Sequence, residues 1–384
     1  MKRHTVRARR LVLESLESRS MYAVDFTPLI QPLDERTING YQDLVIMDSN
    51  SDGKRDDLFF WTPGSGDNRL MEGGVITRQQ PSQGIFSGYL SNLYTVAVNG
   101  DFDADGRQDD LFFWRPGDGD NRTMFNQGTY WDTLSNEPDK KATNGSFQNL
   151  VAGDFDGDNQ VDDLFFWDRT SGSNRTLLGN GRGRWEVLSN TIVTGQINGY
   201  EKITVGDFDQ DGKQDDIMVW KSNGDNRTFF GKSTGRAYDL LSNPIAAATT
   251  NGYSEFLAGD FDSDGRNDDL MFRNVASGES RLLLGNGSGR FLTVDRPVTA
   301  TTINGYGRSF VGDFDCDGKH DDLFYWTNGG GSNGAMIGQW YDELPGVSWS
   351  NNELTVSGTI LDNRIELTAL ERGFQVKGVT ATIR

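Results

Sequence analysis

Short apolar runs at strand spacing organise this chain, and helix-period segments of useful length are absent. The stretch Asp110-Leu111-Phe112-Phe113-Trp114 is apolar on both faces of an extended backbone, which suits a strand covered on both sides. DLFFW occurs three times, and DIMVW, DLMFR and DLFYW stand at the equivalent places elsewhere. Upstream lies a turn such as Asn39-Gly40-Tyr41, Asn198-Gly199-Tyr200, Asn251-Gly252-Tyr253 or Asn304-Gly305-Tyr306, followed by a short apolar stretch such as FLAGDF or SFVGDF. Downstream come a Gly-rich turn such as Gly119-Asp120-Asn121, a third stretch such as RTMF or RLLL, and a fourth at 130–134, 185–188 or 238–241. This pattern predicts four strands of about five residues joined by hairpin turns.

Between the first and second strands lies an acidic loop, and it recurs. DSNSDGKRDD, DFDADGRQDD, DFDGDNQVDD, DFDQDGKQDD, DFDSDGRNDD and DFDCDGKHDD begin at Asp48, Asp101, Asp154, Asp207, Asp260 and Asp313, each 53 residues after the last. Repeats of this length indicate a solenoid or a propeller. Four antiparallel strands repeated six times predict an all-β fold, a β-propeller of six four-stranded blades, because radial repetition protects strand edges. A straight β-solenoid would use shorter rungs and ranks behind it.

The loops carry the candidate chemistry. With the first aspartate as position 1, candidate ligands at positions 1, 3, 5 and 9 are Asp48, Asn50, Asp52 and Asp56 in the first loop. They are Asp101, Asp103, Asp105 and Asp109 in the second, and Asp154, Asp156, Asp158 and Asp162 in the third. The fourth has Asp207, Asp209, Asp211 and Asp215, and the fifth has Asp260, Asp262, Asp264 and Asp268. The sixth has Asp313, Asp315, Asp317 and Asp321. Alternating carboxylates on a tight loop converge oxygens on one point, a glycine at position 6 permits the turn, and position 7 can offer its carbonyl. Hard oxygen ligands without His or Cys select Ca²⁺. The alternative is an Asx-rich hairpin turn, since Asp-Gly is itself a turn signal. Constant spacing across six loops favours ligation.

The pattern FxxGDFDxDGxxDDL resembles the FG-GAP or VCBS repeat, the unit of the integrin α-subunit propeller and of many bacterial surface proteins, over roughly residues 37–345. The resemblance implies Ca²⁺ held through positions 1, 3, 5 and 9 and the position-7 carbonyl, hence Asp101, Asp103, Asp105, Arg107 and Asp109 and their equivalents. Asn50 lowers the charge of the first site, and Asn159 replaces glycine in the third, so these two sites are expected to be the weaker of about six.

Net charge changes the picture less than it first suggests. Lys and Arg number 37 against 56 Asp and Glu, giving −19, which argues against a nucleic-acid partner. Twenty-nine of those acids are loop aspartates, so the remaining body is mildly basic, and six Ca²⁺ would bring the total to −7. No apolar run is long enough for a transmembrane helix, and Cys316 alone allows no intrachain disulfide. An enzyme is disfavoured. Only His4 and His320 are present, no HExxH or phosphate loop occurs, and His320 and Cys316 occupy variable loop positions 8 and 4.

A second recurrence pairs Trp61, Trp114, Trp167, Trp220 and Trp326 with Arg69, Arg122, Arg175, Arg227 and Arg281; Arg273 and Gly334 break the two series. Each arginine either stacks on a tryptophan or pins a turn between blades, or the ring forms shallow sugar or carboxylate sites as in a multivalent lectin. At the N-terminus, RRLVLESLESRSMYA resembles the leader motif of many planctomycete exported proteins, which implies export; the alternative is a disordered basic tail. Residues 1–23 are expected to be this leader, 24–345 the propeller and 346–384 a short β segment. ELTVSGT, NRIELTAL and GFQVKGVTATIR read as strands there, faintly similar to calcium-dependent β-roll regions but without the glycine–aspartate nonapeptide. With a strand near 24–30 they could complete a seventh, metal-free blade. The expectation is an extracellular or cell-surface monomer that binds Ca²⁺ and recognises a surface protein or polysaccharide.

Overall fold

The stretches with apolar side chains on both faces become the second strand of each blade, and their neighbours in sequence pair on either side. In the computed structural model, the described residues are 24–340, apart from 74–79, 84–85, 87–89, 91–93, 182–183, 233, 296–297 and 299, together with strands at 346–350, 353–357, 367–370 and 373–376. The leader expected at 1–23 lies outside them. Val24–Gln339 forms one compact unit of six four-stranded sheets, a six-bladed β-propeller.

The third blade shows the plan. Asn149–Gly153, Asp163–Trp167, Asn174–Gly179 and Trp185–Ser189 pair antiparallel in sequence order, with Asn149 opposite Trp167, Leu164 opposite Leu177 and Arg175 opposite Ser189. The innermost strands, Asp43–Met47, Val96–Gly100, Asn149–Gly153, Lys202–Gly206, Glu255–Gly259 and Arg308–Gly312, stand side by side in a closed ring. One-turn helices lead into five of them, at Glu35–Ile38, Lys140–Thr143, Thr194–Ile197, Ala247–Thr250 and Ala300–Ile303.

Alternation along the second strand splits its side chains between two interblade cores. Leu58 and Phe60 pack toward Phe324 and Trp326 of the last blade, whereas Phe59 and Trp61 pack toward Leu111 and Phe113 of the next. Each such aromatic side chain contributes about 1.5–3 kcal/mol on burial. Six clusters repeat this arrangement, one per blade boundary.

The sixth blade corrects the seven-blade option. Its sheet runs Val24–Ile30, Asn333–Trp340, Asp322–Trp326, Arg308–Gly312, so the N-terminal strand supplies its outer edge. That strand is therefore unavailable to a further blade. The C-terminal strands form two hairpins instead, Gly346–Ser350 with Glu353–Ser357 and Leu367–Leu370 with Gly373–Val376. No helix among the described residues is long and apolar enough to cross a membrane.

Candidate metal centres

Every acidic loop joins an innermost strand to its second strand, so all six lie at one end of the propeller. The GDF signature has a packing cause. A Cβ on Gly206 would stand 2.5 Å from the Asn267 carbonyl of the next blade and 2.8 Å from the Phe208 ring, and Gly100, Gly153 and Gly312 are equally crowded. The absent side chain lets the position-1 N–H reach that carbonyl: Asp101 donates to Val161, Asp154 to Gln214, Asp207 to Asn267, Asp260 to His320 and Asp313 to Arg55, at 2.9–3.1 Å. In the first copy Met47 and Ser49 take the Gly and Phe places.

Within each loop the carboxylates organise the backbone. The position-1 side chain accepts the position-6 N–H in all six, as from Gly53 (2.8 Å), Gly106 (2.9 Å), Asn159 (3.0 Å), Gly212 (3.1 Å), Gly265 (3.0 Å) and Gly318 (2.9 Å). Asn159 accommodates the turn at φ +71°. Position 5 accepts the position-7 N–H throughout, as Asp105 does from Arg107 at 3.1 Å.

Among the described residues, five of the six loops draw three carboxylates together; the first loop does not, and position 9 joins none of the five sets. Ligand-type oxygens lie within 4.8 Å of one another in Asp101, Asp103 and Asp110; Asp154, Asp156 and Asp163; Asp207, Asp209 and Asp216; Asp260, Asp262 and Asp264; and Asp313, Asp315 and Asp317. The Oδ1 atoms of Asp154, Asp207, Asp260 and Asp313 are buried with no hydrogen-bond partner. Burial, abetted by neighbouring aspartates, pushes Asp154, Asp207 and Asp313 up to about 6 and Asp260 to about 7. Buried anionic oxygens without donors, set among further carboxylates, fit a hard dication.

Position 9 has a second set of neighbours. Its carboxylate is buried in all six loops, and in four it accepts from the position-4 side chain of the preceding blade. Ser51 reaches Asp109 (2.9 Å), Gln210 reaches Asp268 (2.7 Å), Ser263 reaches Asp321 (2.9 Å) and Cys316 reaches Asp56 (3.0 Å). Ala104 has no donor to give, and both oxygens of Asp162 are buried without a partner. Burial pushes Asp109 up to about 7 and Asp162 to about 8.

Sequence reasoning missed the role of position 10. Asp110 accepts the Asp103 N–H on Oδ2 (3.0 Å) and the Asn126 N–H on Oδ1 (2.8 Å), clamping loop to third strand. Asp163, Asp216, Asp269 and Asp322 repeat this, and Asp57 holds Ser49, Asn50 and Gly73. The doubled aspartate closing every loop was the available signal.

The five tryptophans of the second recurrence, and Arg175, Arg227 and Arg281, are taken up in packing. Trp61, Trp114, Trp167, Trp220 and Trp326 are at most 1% exposed, so these indoles offer no stacking face to a sugar. Arg175 donates to the carbonyls of Lys141 (2.9 Å) and Ala142 (2.6 Å) on the helical turn entering its blade and lies over Phe147. Arg227 and Arg281 likewise bond Gln196 and Thr249 and lie over Tyr200 and Tyr253. Arg273, in the tryptophan place, is buried and paired with Glu255 at 2.7 Å.

No family model matches the chain, and no curated protein sequence matches it. Among solved structures it is similar to YCF48 bound to D1 peptide, at 10% identity over 81% of this chain and 94% of that one, TM-score 0.41. An auxiliary nutrient binding protein from Bacteroides thetaiotaomicron gives 14% identity over 78% and 70%, TM-score 0.46. An α-L-arabinanase of Penicillium chrysogenum complexed with arabinobiose gives 10% over 82% and 97%, TM-score 0.45. Likeness at this level carries no argument about ligand or activity, and the blade assignment rests on this chain's own strand order.

Proposed function

We propose that this chain is an exported, calcium-binding propeller of the FG-GAP or VCBS type, working outside the cell as a non-catalytic binding or adhesion module for a surface protein or polysaccharide. The observation that carries the reading is the buried, donor-free Oδ1 of Asp154, Asp207, Asp260 and Asp313, each beside two further carboxylates at 53-residue intervals. Bare carboxylates at that density repel one another, and Ca²⁺ supplies the missing partner in a flexible all-oxygen shell. The family resemblance of the loop motif and the leader-like segment at the N-terminus support the location.

Equilibrium dialysis and native mass spectrometry test the metal, with about six Ca²⁺ expected and the first and third sites weakest. One ion or none would overturn it. Capture from cell-surface material in calcium, glycan arrays and turnover assays on polysaccharides test the role. Catalytic turnover would replace the binding module with an enzyme.

A further inference from the structure

The eighth loop position varies from copy to copy, yet the fold gathers its six residues in one place. Arg55, Gln108, Val161, Gln214, Asn267 and His320 line the central channel beside the innermost strands. Five of their carbonyls accept a position-1 N–H from the preceding blade, which sets this ring level with the start of the loops. The channel holds roughly 350 Å³, and its wall away from the ring is built mostly of apolar residues such as Leu44, Val98, Val151 and Val205, interrupted by Asn99, Thr204 and Ser309. That volume falls in the lower part of the range of about 300–1,000 Å³ used for small ligands.

Arg55 is the one permanently charged side chain among these eighth-position residues. Among the described residues no carboxylate stands within ion-pair distance of Arg55. Among the described residues its one side-chain hydrogen bond is a long one, Nη2 to Asn99 Oδ1 at 3.3 Å, and its Nε is buried without a partner there. Asp48, whose charge it feels, has Oδ1 and Oδ2 committed to the backbone N–H groups of Asp52 and Gly53. A half-buried guanidinium with no carboxylate in ion-pair contact is left under-satisfied, and its planar fork matches a carboxylate. Gln108, Gln214 and Asn267 add neutral amide donors to the same ring.

We infer that the channel mouth binds a small monocarboxylate, its carboxylate on the Arg55 guanidinium and its apolar body along the channel wall. None of the candidate metal ligands takes part, so this site stands or falls separately from the calcium reading.

Calorimetric titration of the full chain with hexanoate, in calcium-containing buffer, tests it against the neutral isostere hexanamide and inorganic phosphate. The expected result is saturable hexanoate binding, one per chain, with hexanamide and phosphate at least tenfold weaker. Arg55→Met should weaken hexanoate at least tenfold. Gln214→Glu, which places a competing carboxylate across the axis, should do the same and carries the test if Arg55→Met fails to fold. No saturable hexanoate binding, equal binding of hexanamide, preferred binding of phosphate, or unchanged affinity in folded variants would each overturn the proposal.

Discussion

The Cys316 thiol donates to Asp56 Oδ2 at 3.0 Å and thereby joins the last acidic loop to the first. Three other loops take the same step to their neighbours with Ser51, Gln210 and Ser263. All four donors sit in left-handed backbone, at φ +61°, +60°, +56° and +66°, a conformation that costs a non-glycine residue about 1–3 kcal/mol. Blades touch only their neighbours, so the seam between the last blade and the first depends on such contacts and on the strand Val24–Ile30.

Cys316→Ser should therefore be nearly neutral, because serine makes this bond in the first and fifth loops. Cys316→Val removes the donor and leaves a buried Asp56 oxygen bare, at a cost of about 1–3 kcal/mol. Urea denaturation of the two variants checks the difference. Equal midpoints would deny the seam contact any energetic weight.

Gly206→Ala should destabilise by about 1–3 kcal/mol, since the new Cβ would meet the Asn267 carbonyl and the Phe208 ring and force two blades apart. Gly212→Ala makes a useful contrast. There a Cβ meets nothing within 4 Å, and only the left-handed φ of +91° opposes it. A loss at Gly206 no greater than at Gly212 would show that the blades can part without cost.

Much of this architecture was legible because the fold is periodic and its signals repeat. The two-sided apolar run Asp110–Trp114 announced a strand between two cores, and the 53-residue interval announced the blade. Closure was not legible, because Val24–Ile30 pairs with Asn333–Trp340 across nearly the whole chain and carries no copy of the repeat. The loop ligands were visible as alternating aspartates. The reach of position 4 into the next blade, and of the position-8 carbonyl to the blade before, was hidden, since residues as different as Ser, Ala, Gly, Gln and Cys share position 4.

The loop carboxyls give calcium-free protein an inverted pH dependence. Asp154, Asp207 and Asp313 titrate near about 6, Asp109 near about 7 and Asp162 near about 8, raised chiefly by burial. A carboxyl whose folded pKa exceeds its unfolded value of about 3.9 holds its proton more tightly in the native state. That stability is present at low pH and is lost as pH rises through the folded values. In EDTA the urea midpoint should fall between about pH 5 and about pH 8. Calcium should shrink that fall, because the cation replaces the lost protons. A midpoint that rises over the interval would mean the backbone donors outweigh burial.

Metal should also couple to the fold. Each loop closes a hairpin within one blade, so clustered aspartates without a cation push apart a turn that must stay shut. Ca²⁺ bound to the native state alone adds RT ln(1 + [Ca]/Kd) per site. With dissociation constants on the order of 0.1–1 mM, as in extracellular modules, about 10 mM Ca²⁺ contributes about 1.4–2.7 kcal/mol per site. Asp209→Ala with Asp211→Ala strips positions 3 and 5 of the fourth loop while leaving the Gln210 amide bonded to Asp268, so the calcium-dependent gain should drop by one site's share. Mg²⁺ should substitute poorly, because it demands a smaller and stricter octahedron. Melting curves in Ca²⁺, Mg²⁺ and EDTA decide it: identical curves would reduce the six loops to Asx-rich turns, and a double variant with the full calcium gain would remove the fourth loop from the set of sites.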